Sequence, residues 1–157
     1  MAATATITFR GTFGQTATVE LSSNTASLTE TITRSLTTGT GSGQIDCIMT
    51  DDNTLGASGS QDYDLDGASI VNMFNESVTF DKVKGIMVYN DGSTNTLTVA
   101  GDYLGLSTDT VTVPAGGVFW LDLGAAGIDV TATTADVVTI ASTSGTDYRI
   151  VIYGVAA

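Results

Sequence analysis

The chain has 157 residues, 42% of them hydrophobic and one of them proline, a balance that suits one domain rather than two or a disordered tail. Five basic residues stand against 17 acidic ones, a formal net charge of −12 with no histidine. Bare nucleic acid would repel such a surface, and Arg10, Arg34, Lys82, Lys84 and Arg149 are too scattered to form a patch, so no nucleic-acid partner is expected.

Period-2 alternation begins at once: in Thr4-Ala5-Thr6-Ile7-Thr8-Phe9 the threonines fall on one face and the apolar residues on the other. Similar segments at Thr16 to Leu21 and Thr29 to Leu36 make residues 1–36 an extended N-terminal arm. The arm has too few large apolar residues to close a core, so its apolar face needs a partner, either the body or a neighbouring subunit. Glycine and small polar residues over 37–43 read as a linker, because they bury too little apolar surface to hold one conformation.

Residues 44–157 read as the body. Strands are expected at Gln44 to Thr50, Asp62 to Asp66, Lys82 to Asn90, Thr94 to Ala100, Asp109 to Val113, Val118 to Leu123, Ile128 to Thr133, Val137 to Ala141 and Tyr148 to Tyr153. Turn residues separate them, as in Asn90-Asp91-Gly92, Pro114-Ala115-Gly116-Gly117 and Ser144-Gly145-Thr146-Asp147. Many short strands at this spacing predict an all-β fold, a β-sandwich or jelly roll. One segment departs from the pattern: Ile70, Val71, Met73 and Phe74 recur at near-helical spacing after Asp66-Gly67, which predicts a short helical turn near residues 68–74. No basic start followed by an apolar run marks a signal peptide, and no segment approaches the roughly 18 apolar residues of a membrane span. Synthesis in the cytoplasm and no membrane partner are expected.

Asp62-Tyr63-Asp64-Leu65-Asp66-Gly67 matches the start of a calcium loop, in which alternate aspartates offer oxygens and glycine permits the turn. The match stops there, since Met73 stands where a bidentate glutamate belongs. A surface strand with Tyr63 and Leu65 inward and Asp62, Asp64 and Asp66 in water is the preferred reading; no cofactor is expected. Absence of histidine removes the commonest general base, and Asp51 with Asp52, or Asp122 with Asp129, would be a carboxylate pair only in principle. Cys47, in the apolar stretch Ile45 to Met49, reads as a small buried hydrophobe. Trp120, Tyr103, Tyr89 and Tyr153 are candidates for a sugar platform, but Phe119 and Trp120 are adjacent on a strand, so one belongs to the core and the other to an interface.

From Ser35 onward the chain resembles a family of small virion proteins of tailed phages. The resemblance rests on Thr38-Gly39-Thr40-Gly41, Gln44-Ile45-Asp46, Asp64-Leu65-Asp66, Ile70 to Phe74, Val78 to Ile86, Leu97-Thr98-Val99, Val111 to Val118 and Tyr148 to Gly154, in that order. It implies a capsid decoration or cement protein, β-rich and often trimeric, with no catalytic motif to transfer. The expectation is therefore a non-enzymatic homo-oligomer on the capsid exterior whose partner is the major capsid protein, with Ile7, Phe9 and Phe13 against another chain. The alternative is a receptor- or glycan-binding module of a head fibre or tail.

Overall fold

Threonine at alternate positions gives the chain its first feature, a long antiparallel hairpin. The computed structural model describes residues 3–19, 22–67, 70–72 and 74–157, and within the hairpin it leaves out the side chains of residues 9, 11, 13–19 and 22–26. β1 (Ala5–Val19) pairs with β2 (Ser22–Thr38) in one unbroken ladder from Ala5↔Leu36 to Val19↔Ser22. The separate strands expected in the arm are thus pieces of two long ones. Gly11 and Gly14 stay in register, because a glycine weakens a ladder without interrupting its backbone bonds. Thr6, Thr8, Thr12, Thr29, Thr31, Thr33 and Ser35 are exposed, and the register places them on one polar face, with the Thr12 and Thr29 hydroxyls 3.2 Å apart.

The glycine-rich segment after the arm is held rather than loose. Thr37 and Thr38 pair in parallel with β3 (Gln44–Ile45), and the backbone of 39–43 is tied by Gly39 N–H to Ile45 O, Gln44 N–H to Gly41 O and Gly43 N–H to Ala125 O. The Gln44 side chain accepts the Gly41 N–H as well. Lys84 reaches the same loop from the body, donating from Nζ to the carbonyls of Gly41 (2.6 Å) and Gln44 (2.5 Å) while its side chain is buried. Burial lowers the pKa of this ammonium, and neighbouring Arg34 lowers it further. Apolar area is not what fixes this loop; a buried donor and backbone pairing do so.

The body is all-β and sandwich-like. One sheet has the order β10 (Ile128–Asp129), β6 (Phe80–Asn90), β12 (Thr146–Ala156), β4 (Cys47–Leu55), with β9 (Val118–Asp122) also on β6. The other has the order β5 (Gly59–Asp64), β11 (Val137–Ser142), β7 (Leu97–Gly101), β8 (Leu106–Val113). Between them lies the main core: Met49, Ile86, Val88, Ile150 and Ile152 from the first sheet meet Tyr63, Leu97, Val99, Val113, Val138 and Ile140 from the second. Each buried aliphatic side chain contributes about 1.5–3 kcal/mol relative to exposure, so this layer dominates the stability of the body. Cys47 belongs to the same core, and burial pushes its thiol pKa up to about 11, which keeps it protonated and unreactive near neutral pH.

The helical turn expected near residues 68–74 does not form among the described residues. Asn72 bridges to Met49 and Val71 to Ser77, and Asn75 has φ of 62°. The Asn72 side chain explains the departure, since its Oδ1 accepts the backbone N–H groups of Phe74 (2.8 Å) and Glu76 (3.1 Å) and closes a turn that competes with a helix. Just before it, the Asp64 carboxylate closes a turn of its own, accepting from the N–H groups of Asp66 and Gly67. Among the described residues no helix is long and apolar enough to cross a membrane.

Lys84→Met keeps the aliphatic stem but removes the ammonium that bridges the Gly41 and Gln44 carbonyls. A melting temperature lower by about 5–10 °C is expected, whereas Arg149→Met, which removes exposed ion pairs with Asp52 and Asp91, should shift it by less than about 2 °C. Equal, small shifts for both variants would show that Lys84 does not hold the loop.

Candidate docking surface

Because side chains alternate across a strand, a sheet that is apolar at consecutive positions is apolar on both faces. β12 is such a strand. Ile150 and Ile152 enter the core, while Val151 and Tyr153 lie on the opposite, outer face. Cross-strand pairing extends this outer face: Val151 pairs with Met87, Met87 with Trp120, Tyr153 with Ile48 and Tyr89 with Val118. Phe119 packs against the core and Trp120 lines the outer face, the division expected from their adjacency.

The base of the arm covers part of this face. Leu36, Ile45 and Tyr153 form a second, small buried cluster, against which Ala3, Ala5, Ile7, Ile48 and Val151 pack. Beside it runs an open groove of about 490 Å³, walled by Ala5 to Thr8 on the arm and by Ile48, Met87, Val118, Trp120, Val151 and Tyr153 on the sheet. Val118 is 56% and Met87 36% exposed there. Further along the arm Leu28 is 57% and Ile32 60% exposed. Arg34 joins the arm to β9 through an ion pair with Asp122.

At the far end the outer face turns polar, with Arg149 over the Tyr89 ring (6.0 Å) and bonded to Asp91. A polar cleft of about 290 Å³ opens elsewhere, lined by Asp51, Gln61, Asp62 and Tyr63. Tyr63 donates to Asp51 Oδ2 (2.6 Å) and its hydroxyl lies 2.7 Å from that of Tyr148, itself within reach of the Asn53 amide. Burial, then the bond to Asp51, raises the Tyr63 pKa, and burial raises that of Tyr148. Both phenols remain neutral hydrogen-bonding groups that close one end of the core.

Of the residues singled out by sequence, Ile7 sits at the arm base and packs within its own chain, as well as walling the groove. Phe9 and Phe13 stand opposite Ile32 and Leu28 in the hairpin register, and their side chains lie outside the described ones. Tyr63 and Leu65 are buried; Asp62 is exposed and accepts from Thr139, Asp64 caps its turn, and Asp66 is exposed. Among the described residues no group of three or more potential ligands converges on a metal position. Asp51 points to Tyr63 while Asp52 pairs with Arg149 on the opposite face, and Asp122 and Asp129 are committed to different cations, Arg34 and Lys82. Tyr103 and Tyr153 are buried, so neither offers a ring to a sugar. The groove itself escaped sequence reading, although the unbroken run Ile150-Val151-Ile152-Tyr153 was its signal. No protein-family model, no curated protein and no solved structure matches the chain.

Among the described residues the buried Tyr153 hydroxyl has no hydrogen-bond partner, and its ring lies so close over Gly85 that a Cβ there would overlap the phenol. An unsatisfied buried hydroxyl costs about 1–3 kcal/mol. Tyr153→Phe should therefore raise the melting temperature by about 2–6 °C, and Gly85→Ala should lower it by more than about 5 °C. Thermal denaturation followed by circular dichroism checks both; a destabilised Tyr153→Phe would mean that the hydroxyl has a partner.

Proposed function

We propose that this chain is a non-enzymatic structural protein of a tailed-phage particle, binding the outside of the capsid as a decoration or cement protein and associating with copies of itself. The observation that carries the reading is the apolar outer face of the five-stranded sheet, beside an arm whose base packs on it and whose Leu28 and Ile32 are exposed. Surface contact needs no convergent catalytic groups. It needs a stiff scaffold and an apolar margin, and a contact of standard size buries about 1,200–2,000 Å² in total. The resemblance of residues 35 onward to small phage virion proteins supports a capsid position. The acidic surface fits a protein that must remain dispersed at high copy number until it meets its shell.

A receptor- or glycan-binding tip is the weaker reading, because two of its four candidate aromatic residues, Tyr103 and Tyr153, are buried. Imaging of the whole particle by cryo-electron microscopy separates the two. Density for the chain at repeated capsid positions is the expected result, and density confined to the tail or a fibre would overturn it. In binding assays, the double variant Leu28→Ser/Ile32→Ser should reduce co-sedimentation with the shell or self-association at least tenfold while leaving the body's melting temperature within about 2 °C, since both residues are exposed. Undiminished binding and association would remove the arm from the interface.

A further inference from the structure

We infer that the free edge of β1 pairs antiparallel with the β1 edge of a second copy about a two-fold axis at Thr12, joining two arms into one four-stranded sheet. The inference rests on the self-association proposed above and names the edge and the register that carry it.

The edge is open and unguarded. β1 lies at the margin of its sheet, and among the described residues no strand occupies its other side. It runs for 15 residues without a proline, a lysine, a carboxylate or a register shift, and Arg10 is its one charge. Sheet edges are ordinarily protected from a second chain by such features. The edges of the body have them: β4 carries Asp51 and Asp52, β5 Asp62 and Asp64, β8 Asp109, β9 Asp122 and β10 Asp129. A two-stranded ribbon is also marginal in water by itself, and further strands stabilise it.

The sequence of β1 selects the occupant, because the strand is nearly self-complementary when read backwards. In an isologous contact residue i meets residue j and residue j meets residue i, so an axis at Thr12, the midpoint of Ala5–Val19, pairs the whole strand. Threonine then stands opposite threonine at Thr6 and Thr18, at Thr8 and Thr16, and at Thr12 itself, and such cross-strand pairs are favourable. Ala5 stands opposite Val19 and Ile7 opposite Ala17. Arg10 stands opposite Gly14 and Gly11 opposite Phe13, so no two arginines and no two glycines meet. Moving the axis to Gly11 would set that glycine on itself and leave the end of the strand unpaired. The register joins even positions to even ones, which keeps the hydroxyl faces of both arms on one side of the joint sheet.

Charge favours arm against arm over any contact between bodies. Residues 1–36 hold Arg10 and Arg34 against Glu20 and Glu30 and are formally neutral, whereas residues 37–157, with three basic and fifteen acidic residues, carry the whole net charge of −12. Antiparallel pairing sets the two arm roots at opposite ends of the paired strands, about 48 Å apart at about 3.4 Å per residue, several times the roughly 8 Å screening length at physiological salt. Parallel pairing would bring the acidic bodies side by side.

The test uses full-length variants at exposed positions of β1 and a short bismaleimide. Thr12→Cys should give a covalent dimer from a single variant, since the axis sets position 12 against itself, and Cys47 is buried and unreactive. Thr8→Cys alone should give little, because its two copies lie eight residues apart along the pair, about 27 Å. Thr8→Cys mixed with Thr16→Cys should cross-link. In sedimentation, Thr12→Lys should weaken self-association at least tenfold, and mixing it with Thr12→Glu should restore it. A parent oligomer that gives no 12-to-12 product, or that Thr12→Lys leaves intact, overturns the β1 contact while self-association stands. A parent that is monomeric at the highest soluble concentration yet sediments with shells overturns the contact and self-association together and leaves the capsid position standing. A monomer that binds no shell overturns all three.

Discussion

The five-stranded sheet is apolar on both faces, and only one of them is covered by a second sheet. Ile86, Val88, Ile150 and Ile152 are removed from water by the opposing strands; Met87, Val118, Trp120 and Val151 on the reverse side are shielded only along the margin where the arm base lies. Apolar surface left in water costs about 25 cal/mol per Å² relative to burial. The rest of the molecule is arranged around that imbalance: an arm starts on the half-covered face, is pinned there, and then leaves it.

The pinning is polar as much as apolar. Leu36, Ile45 and Tyr153 make a cluster too small to orient a long hairpin alone. The Lys84 ammonium, two carbonyls of the 39–45 loop, the parallel pairing of β2 with β3 and the Arg34–Asp122 ion pair add direction. The arm is thereby a projection with a defined root rather than a tethered tail, and its exposed aliphatic residues are offered at a set distance from the body. Such pre-organisation lowers the ordering entropy that a docking contact must overcome.

The all-β class and most strand positions were legible in sequence because alternation is a local signal: Tyr63, Leu65, Ile150 and Ile152 face inward as their spacing requires. Two kinds of feature were not legible. The turn around Asn72 is decided by one side chain capturing the N–H groups of Phe74 and Glu76, a local bond that apolar spacing at Ile70, Val71 and Phe74 does not register. The order in the glycine-rich loop comes from Lys84, 40 or more residues away in sequence. The groove was half legible: Ile150 to Tyr153 announces burial on both sides, but the alignment of Met87, Trp120 and Val118 beside it depends on strand order, which no single segment encodes.

If the reverse face of the sheet is satisfied by another molecule of the same chain, the purified protein cannot be a stable monomer at working concentrations. Light scattering coupled to size exclusion measures this directly. A mass that is a whole multiple of the 16.1 kDa chain follows from the half-covered sheet, and a single species at 16.1 kDa at the highest soluble concentration would contradict it.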